Sequence, residues 1–289
     1  LPIHDVIEQV QKAMTVEKRA VIAAPPGAGK TTIIPLKLLD NSNISGKIIV
    51  LEPRRLAARA AASQMAALLN ERIGETVGFQ IKGLNKVSKK TRIIVMTEGI
   101  LIRMIQSDPS LSKVGCIIFD EFHERSINAD LGLALSLELA EILRNDLRIL
   151  VMSATLDVGP VSDLLNTKAP IISNGRAYNV NCKYLSRPNS KNDRVWESFS
   201  ELVSDAFQMT EGGILAFLPG EAEIRSTEKL LKEKLPNTAI IMPLYGSLPF
   251  EQQKKILKPL KNEALRKVVL STSIAETSLT ISGIRVVVD

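Results

Sequence analysis

A repeated pairing of short apolar run and helical stretch constrains this chain more than any other feature. Runs rich in β-branched residues fall at Arg19–Ala24, Lys47–Glu52, Arg92–Thr97, Val114–Asp120 and Leu147–Ser153. A second series lies at Gly213–Leu218, Ala239–Leu244, Lys267–Thr272 and Arg285–Asp289. The runs are continuously apolar, as parallel strands covered by helices on both faces must be. Between them lie helical patterns such as Thr31–Leu39, Arg54–Leu69, Ile127–Leu143 and Ala222–Leu235. Strand and helix in alternation predict a doubly wound α/β sheet.

The rhythm breaks near Pro170–Asn174. Beyond it, Arg176–Leu185 reads as a strand leading away from the first sheet, and the polar stretch Ser186–Arg194 as an exposed loop. A chain of 289 residues is long enough for two domains with separate cores. We therefore expect one domain over residues 1–172 and a second over 173–289. The second ends on the bare strand Val286-Val287-Val288-Asp289 with no helix to cover it, so it reads as truncated.

Hydrophobic residues make up 45% and charged residues 24%, the balance of a soluble globular protein. No apolar run approaches the roughly eighteen residues that span a bilayer, and Leu1–Ala13 lacks the long apolar centre of a signal peptide. A cytoplasmic protein without a membrane partner is expected, by default a monomer. The chain opens without Met, as a trimmed one would. Cys116 and Cys182 stand far apart without a partner Cys or His at metal-ligand spacing, which argues against a disulfide framework or a thiolate metal site. The net charge of +6 is shared equally between residues 1–172 and 173–289. Two moderately basic surfaces suit a polyanion, although many solvated surfaces carry as much.

Residues 24–32, Ala-Pro-Pro-Gly-Ala-Gly-Lys-Thr-Thr, come directly after the first strand and open a helix. The pattern is that of a phosphate-binding loop, with Ala24 in place of the usual first glycine. Gly27 and Gly29 let the backbone turn its N–H groups inward around an anion, with Ala28 between them. The helix starting near Thr31 and Thr32 adds its positive N-terminal end. Lys30 can reach the terminal phosphates of a nucleotide, and the Thr31 hydroxyl can bind magnesium. The bland alternative is an ordinary strand-to-helix turn, but strand, loop, Lys-Thr and helix occur in the order that phosphate binding needs.

A second strand ends in two acids, Asp120-Glu121, succeeded by Phe122-His123. Adjacent carboxylates repel, so the pair needs a reason. Consecutive residues at a strand end point in different directions. Asp120 is assigned to magnesium and Glu121 to an attacking water as general base. Alone, such a pair more often caps a helix; coupled to the phosphate loop upstream, the catalytic reading gains. His123 is read as a relay between the nucleotide and the second domain, against a plain surface histidine.

These two motifs, together with six further segments, resemble the DEAH-type RNA helicases of superfamily two, and Asp-Glu-Phe-His-Glu-Arg (120–125) resembles the bacterial HrpB-type branch. The six segments, at residues 52–58, 97–99, 153–155, 217–220, 244–249 and 271–281, match in order, so the resemblance covers essentially the whole chain. It implies two tandem RecA-like parallel-sheet domains that bind ATP and Mg2+ between them, with other nucleoside triphosphates often accepted. It also implies an RNA track along Arg54, Arg55, Thr97, Gly99, Gly246, Ser247 and Thr272. Guanidinium groups suit that role, since they grip phosphates bidentately without reading sequence. Ser153 and Thr155 would link the nucleotide site to interdomain movement, or cap the next turn. Glu276 and Ser278 would face the γ-phosphate. An arginine that stacks on adenine in relatives aligns with Gln64.

The family's arginine-finger motif lies beyond Asp289. Such a finger is worth about 10³–10⁵ in rate, so this chain is expected to bind nucleotide and turn it over poorly. The resulting expectation is an ATP-driven motor acting on single-stranded or partly duplex RNA. A DNA translocase and a nucleotide-gated RNA-binding scaffold without turnover are the alternatives.

Overall fold

The computed structural model describes residues 1–175, 179–184, 195–276 and 280–289. It divides into two compact units, Leu1–Tyr178 and Asn179–Asp289. In the first, the element order is α1 (Ile7–Val16), β1 (Arg19–Ala23), α2 (Lys30–Leu38), β2 (Lys47–Glu52), α3 (Arg55–Leu68), β3 (Val77–Ile81), β4 (Leu84–Lys86), β5 (Ile93–Thr97), α4 (Glu98–Ser107), β6 (Val114–Phe119), α5 (Ile127–Ile142), β7 (Arg148–Ser153), α6 (Gly159–Leu164) and β8 (Ile171–Ile172). The sheet runs β4-β3-β5-β2-β6-β7-β1-β8 and is parallel throughout except for β4, which returns antiparallel to β3.

The continuous apolar runs have the cause the sequence implied. Along β2, Ile48 and Val50 enter a core shared with α1, α2 and α3, whereas Ile49 and Leu51 enter a second core under α4 and α5. Both faces are buried, so no position on the strand is free to be polar until its end. The hairpin β3–β4 falls outside the series of runs read from the sequence. Its second strand, Leu-Asn-Lys, is largely exposed and carries no apolar signal.

The second unit contains α7 (Val195–Met209), β9 (Gly213–Phe217), α8 (Glu221–Lys234), β10 (Ala239–Leu244), α9 (Phe250–Leu257), β11 (Arg266–Ser271) and β12 (Ile284–Val288). Its strands form a parallel sheet in the order β10-β11-β9-β12. Val203, Ile214, Ala216, Ile224, Val268 and Leu270 are at the centre of its own core. The strand expected over Arg176–Leu185 is corrected over its described part: residues 179–184 form none and are exposed, which fits the mostly polar stretch Asn-Val-Asn-Cys-Lys-Tyr. Its remaining positions, and the loop expected over 186–194, lie outside the described residues.

Candidate functional site

Strand order assembles the site. β7 lies between β1 and β6, so three strand ends come together: Ala23 before the phosphate loop, Asp120 after β6, and Ser153 closing β7. The Ala24 N–H donates to the Ser153 carbonyl at 3.0 Å, and the Asp120 N–H to the Leu51 carbonyl at 3.0 Å. Loops leaving one edge of an open parallel sheet are where such folds place ligands.

Within the loop, Gly27 and Gly29 take φ of 76° and 94°, in the left-handed region that a side chain would strain. Gly29 caps α2, Lys30 is its first residue, and Thr31 and Thr32 fill its first turn. Ala28 is buried and its carbonyl accepts from the Ile3 N–H at 3.3 Å, which ties the N-terminal turn to the loop.

The Lys30 ammonium donates to Glu121 Oε1 at 2.8 Å, in a nearly solvent-free position. The Thr31 hydroxyl donates to Asp120 Oδ2, and the Glu121 N–H donates to Asp120 Oδ1 at 2.8 Å. Glu121 reaches this place with φ of 49°, a left-handed conformation that costs a non-glycine residue energy. That strain turns Glu121 to Lys30 while Asp120 faces Thr31.

Electrostatics reflect burial. Desolvation lowers the proton affinity of Lys30, but Asp120 and Glu121 outweigh it and the net shift is upward. The Asp120 carboxyl is pushed up to about 6, first by burial and further by Glu121, against the opposing pull of Lys30. Glu52, at the end of β2, is held well above the usual carboxylate range by burial and then by Asp120. Three carboxylates thus share one ammonium, an imbalance that a divalent cation offsets. Magnesium is held through one or two carboxylates plus waters and substrate phosphates. Asp120 and Thr31 fit that demand, and among the described residues no larger cage of ligating side chains competes.

His123 connects strand ends. The Ala154 N–H donates to His123 Nδ1 at 3.2 Å. The same nitrogen lies 3.5 Å from Glu121 Oε2. The Ser153 hydroxyl in turn accepts from the Thr155 N–H at 3.1 Å and lies within 3.1 Å of the Thr155 hydroxyl.

The residues expected along an RNA track fall in two groups. In the first unit Arg54 lies 3.5 Å from Glu124, Arg55 donates to the Lys82 carbonyl at 3.2 Å, Thr97 caps α4 and Gly99 is in its first turn. In the second unit Gly246 is exposed, Ser247 donates to Glu221 at 3.0 Å, and the Thr272 N–H donates to the Leu244 carbonyl at 3.2 Å. Glu276 is exposed after β11, and Gln64 is exposed on α3. Ser278 lies outside the described residues. Sequence reasoning gives no role to Glu52 or Glu124; a strand ending in an acid at the level of Asp120 is the available signal for Glu52.

The DEAD/DEAH box helicase family matches residues 5–164, and the helicase conserved C-terminal domain matches residues 196–289. The chain belongs to the DEAD/DEAH box helicase family. This helicase chain is 45% identical over its whole length to the ATP-dependent RNA helicase HrpB of Escherichia coli (strain K12), covering 35% of that protein. It is 35% identical to the probable ATP-dependent RNA helicase DHR2 of Saccharomyces cerevisiae, covering 40% of it. A crystal structure of Escherichia coli DEAH/RHA helicase HrpB superposes with a TM-score of 0.92 over 99% of this chain and 36% of that one. The helicase chain thus has two tandem RecA-like α/β domains and spans little more than a third of these relatives. Among the described residues no helix is long and apolar enough to cross a membrane.

Proposed function

We propose that this chain forms the nucleotide-driven part of an RNA helicase, which binds ATP with magnesium and couples its hydrolysis to movement on RNA or to its unwinding. The observation that carries the reading is the junction of Lys30, Thr31, Asp120 and Glu121 at the ends of neighbouring strands, where Lys30 donates to Glu121 and Thr31 to Asp120. Gly27, Ala28, Gly29 and Thr32 surround the phosphates with backbone N–H groups, and Lys30 meets the terminal ones. Asp120 and Thr31 would hold a magnesium ion, which would supply charge neutralisation at the transferred phosphoryl group. Glu121 takes the proton of the attacking water as the water oxygen bonds to the γ-phosphorus and the bond from that phosphorus to the bridging oxygen breaks, leaving ADP and inorganic phosphate. His123 keeps Glu121 and the Ser153-Ala154-Thr155 turn in register. In the second domain, Glu276 and Ser278 are assigned to the nucleotide.

Arg54, Arg55, Thr97, Gly99, Gly246, Ser247 and Thr272 are assigned to the RNA backbone. Support for a polyanion comes from the net charge of +6 and from the names of the relatives at 45% and 35% identity. A phosphate track distinguishes RNA from DNA only where 2′-hydroxyls are contacted. ATP hydrolysis by the protein, measured with matched RNA and DNA oligomers, tests the reading. RNA is expected to accelerate it; acceleration by DNA alone would sink the RNA assignment.

A further inference from the structure

The chemistry above leaves the buried acid Glu52 without a task. Glu52 closes β2 one residue past Leu51, which pairs with Phe119 of β6. Glu52 and Asp120 therefore stand side by side at the ends of neighbouring parallel strands. Glu52 is 1% exposed, and its Oε2 has no hydrogen-bond partner among the described residues. The charged groups around it are Asp120, Glu121 and Lys30. Lys30 is already committed to Glu121 at 2.8 Å. A carboxylate oxygen at such depth is costly unless a donor or a cation answers it.

Two features say what answers it. The orphan oxygen lies beside the carboxylate that, with Thr31, fits magnesium. Among the described residues no group of three or more His, Cys, Asp or Glu forms a metal cage, so a metal held there would keep positions open for water. Magnesium gives up its waters reluctantly, and the groups that receive those waters orient the direct ligands. We propose that Glu52 is a positioning residue of the metal site, its carboxylate accepting from the hydration shell of the nucleotide-bound magnesium beside Asp120. The inference rests on the magnesium–nucleotide reading above and extends it to a residue outside the phosphate-loop and Asp-Glu motifs.

The test is a magnesium titration at fixed concentration of a fluorescent, non-hydrolysable ATP analogue, on the protein and its Glu52→Gln variant. Nucleotide affinity and melting temperature are also read in chelator. The amide keeps the volume of the side chain and removes its charge. The variant is expected to melt and to bind nucleotide in chelator as the unaltered protein does, while needing about tenfold more magnesium for half-maximal metal-dependent binding. A Glu52→Asp variant, which keeps the charge, is expected to fall between the two. An unchanged magnesium requirement in Glu52→Gln overturns the proposal. So does a Glu52→Gln chain that fails to fold in chelator, because Glu52 then serves the fold itself. If the unaltered protein shows no magnesium dependence, the nucleotide-site reading falls as well.

Discussion

The Lys30 ammonium meets the Glu121 carboxylate at 2.8 Å across 91 positions of sequence, and both side chains are nearly excluded from water. The group assigned to the phosphates therefore holds the group assigned to the attacking water. Glu121→Gln keeps an oxygen for Lys30 and loses the base. ATP binding is expected to persist while turnover falls by about 10²–10⁴-fold, read by equilibrium binding beside phosphate release. Unchanged turnover removes Glu121 as the base.

Asp120 gives a pH dependence of defined sign. Its carboxyl is at about 6 in the folded chain against an ordinary 3.8, raised mainly by burial. The folded state holds this proton more tightly than the unfolded chain does. Its stabilising contribution is fully present below the ordinary value and is lost as pH rises through about 6. Denaturant unfolding without nucleotide, compared between the protein and Asp120→Asn, isolates this. The variant is expected to gain on the unaltered chain as pH rises from about 4.5 to about 7.5. A difference independent of pH contradicts it.

The strand that delivers Asp120 depends on a glycine. Between Lys47 and Ile48 the register of β2 on β6 slips, leaving Gly115 as the extra residue of a bulge. A Cβ there would be 1.8 Å from the Ser45 carbonyl oxygen. Gly115→Ala is expected to cost at least about 1–3 kcal/mol of stability, measured as a lower urea midpoint. An unchanged midpoint counts against the close approach.

Much of the fold and the site is legible in the sequence for a physical reason. Strands buried on both faces must be continuously apolar, so the apolar runs coincide with β2 at both ends and with β1, β6 and β7 to within one residue; the run at β10 matches at both ends although that edge strand is only partly buried. Lys30, Thr31, Asp120 and Glu121 are legible because phosphate chemistry fixes residue types at fixed offsets from strand ends. Glu124 is not, since its 3.5 Å approach to Arg54 depends on how two loops meet. Nor is the orphan oxygen of Glu52, because sequence shows an acid at a strand end and not the depth at which it lies. The strand β4 escapes for the opposite reason, since of Leu84–Lys86 only Leu84 packs against the core and no apolar run marks the strand.

Arg54 is half-buried beside Glu124 and belongs to the first-unit group assigned to RNA phosphates. Arg54→Ala is expected to weaken single-stranded RNA binding similarly across sequences. The slope of log affinity against log salt should shrink by about one. A sequence-dependent loss with the slope unchanged would instead make Arg54 a base reader.

The two cysteines should separate cleanly. Burial pushes the Cys116 thiol up to about 12, whereas Cys182 is exposed. A thiol reagent near neutral pH is expected to label Cys182 in the native protein and Cys116 only after unfolding. Native labelling of Cys116 at a comparable rate would contradict the packing of β6.

The most direct measurement is the rate of ATP hydrolysis against rising single-stranded RNA, in the protein and in Lys30→Ala. The account predicts RNA-dependent acceleration in the first and neither hydrolysis nor acceleration in the second. Equal, RNA-accelerated rates in both would show that the phosphate loop and the Asp120–Glu121 pair are not the hydrolytic site.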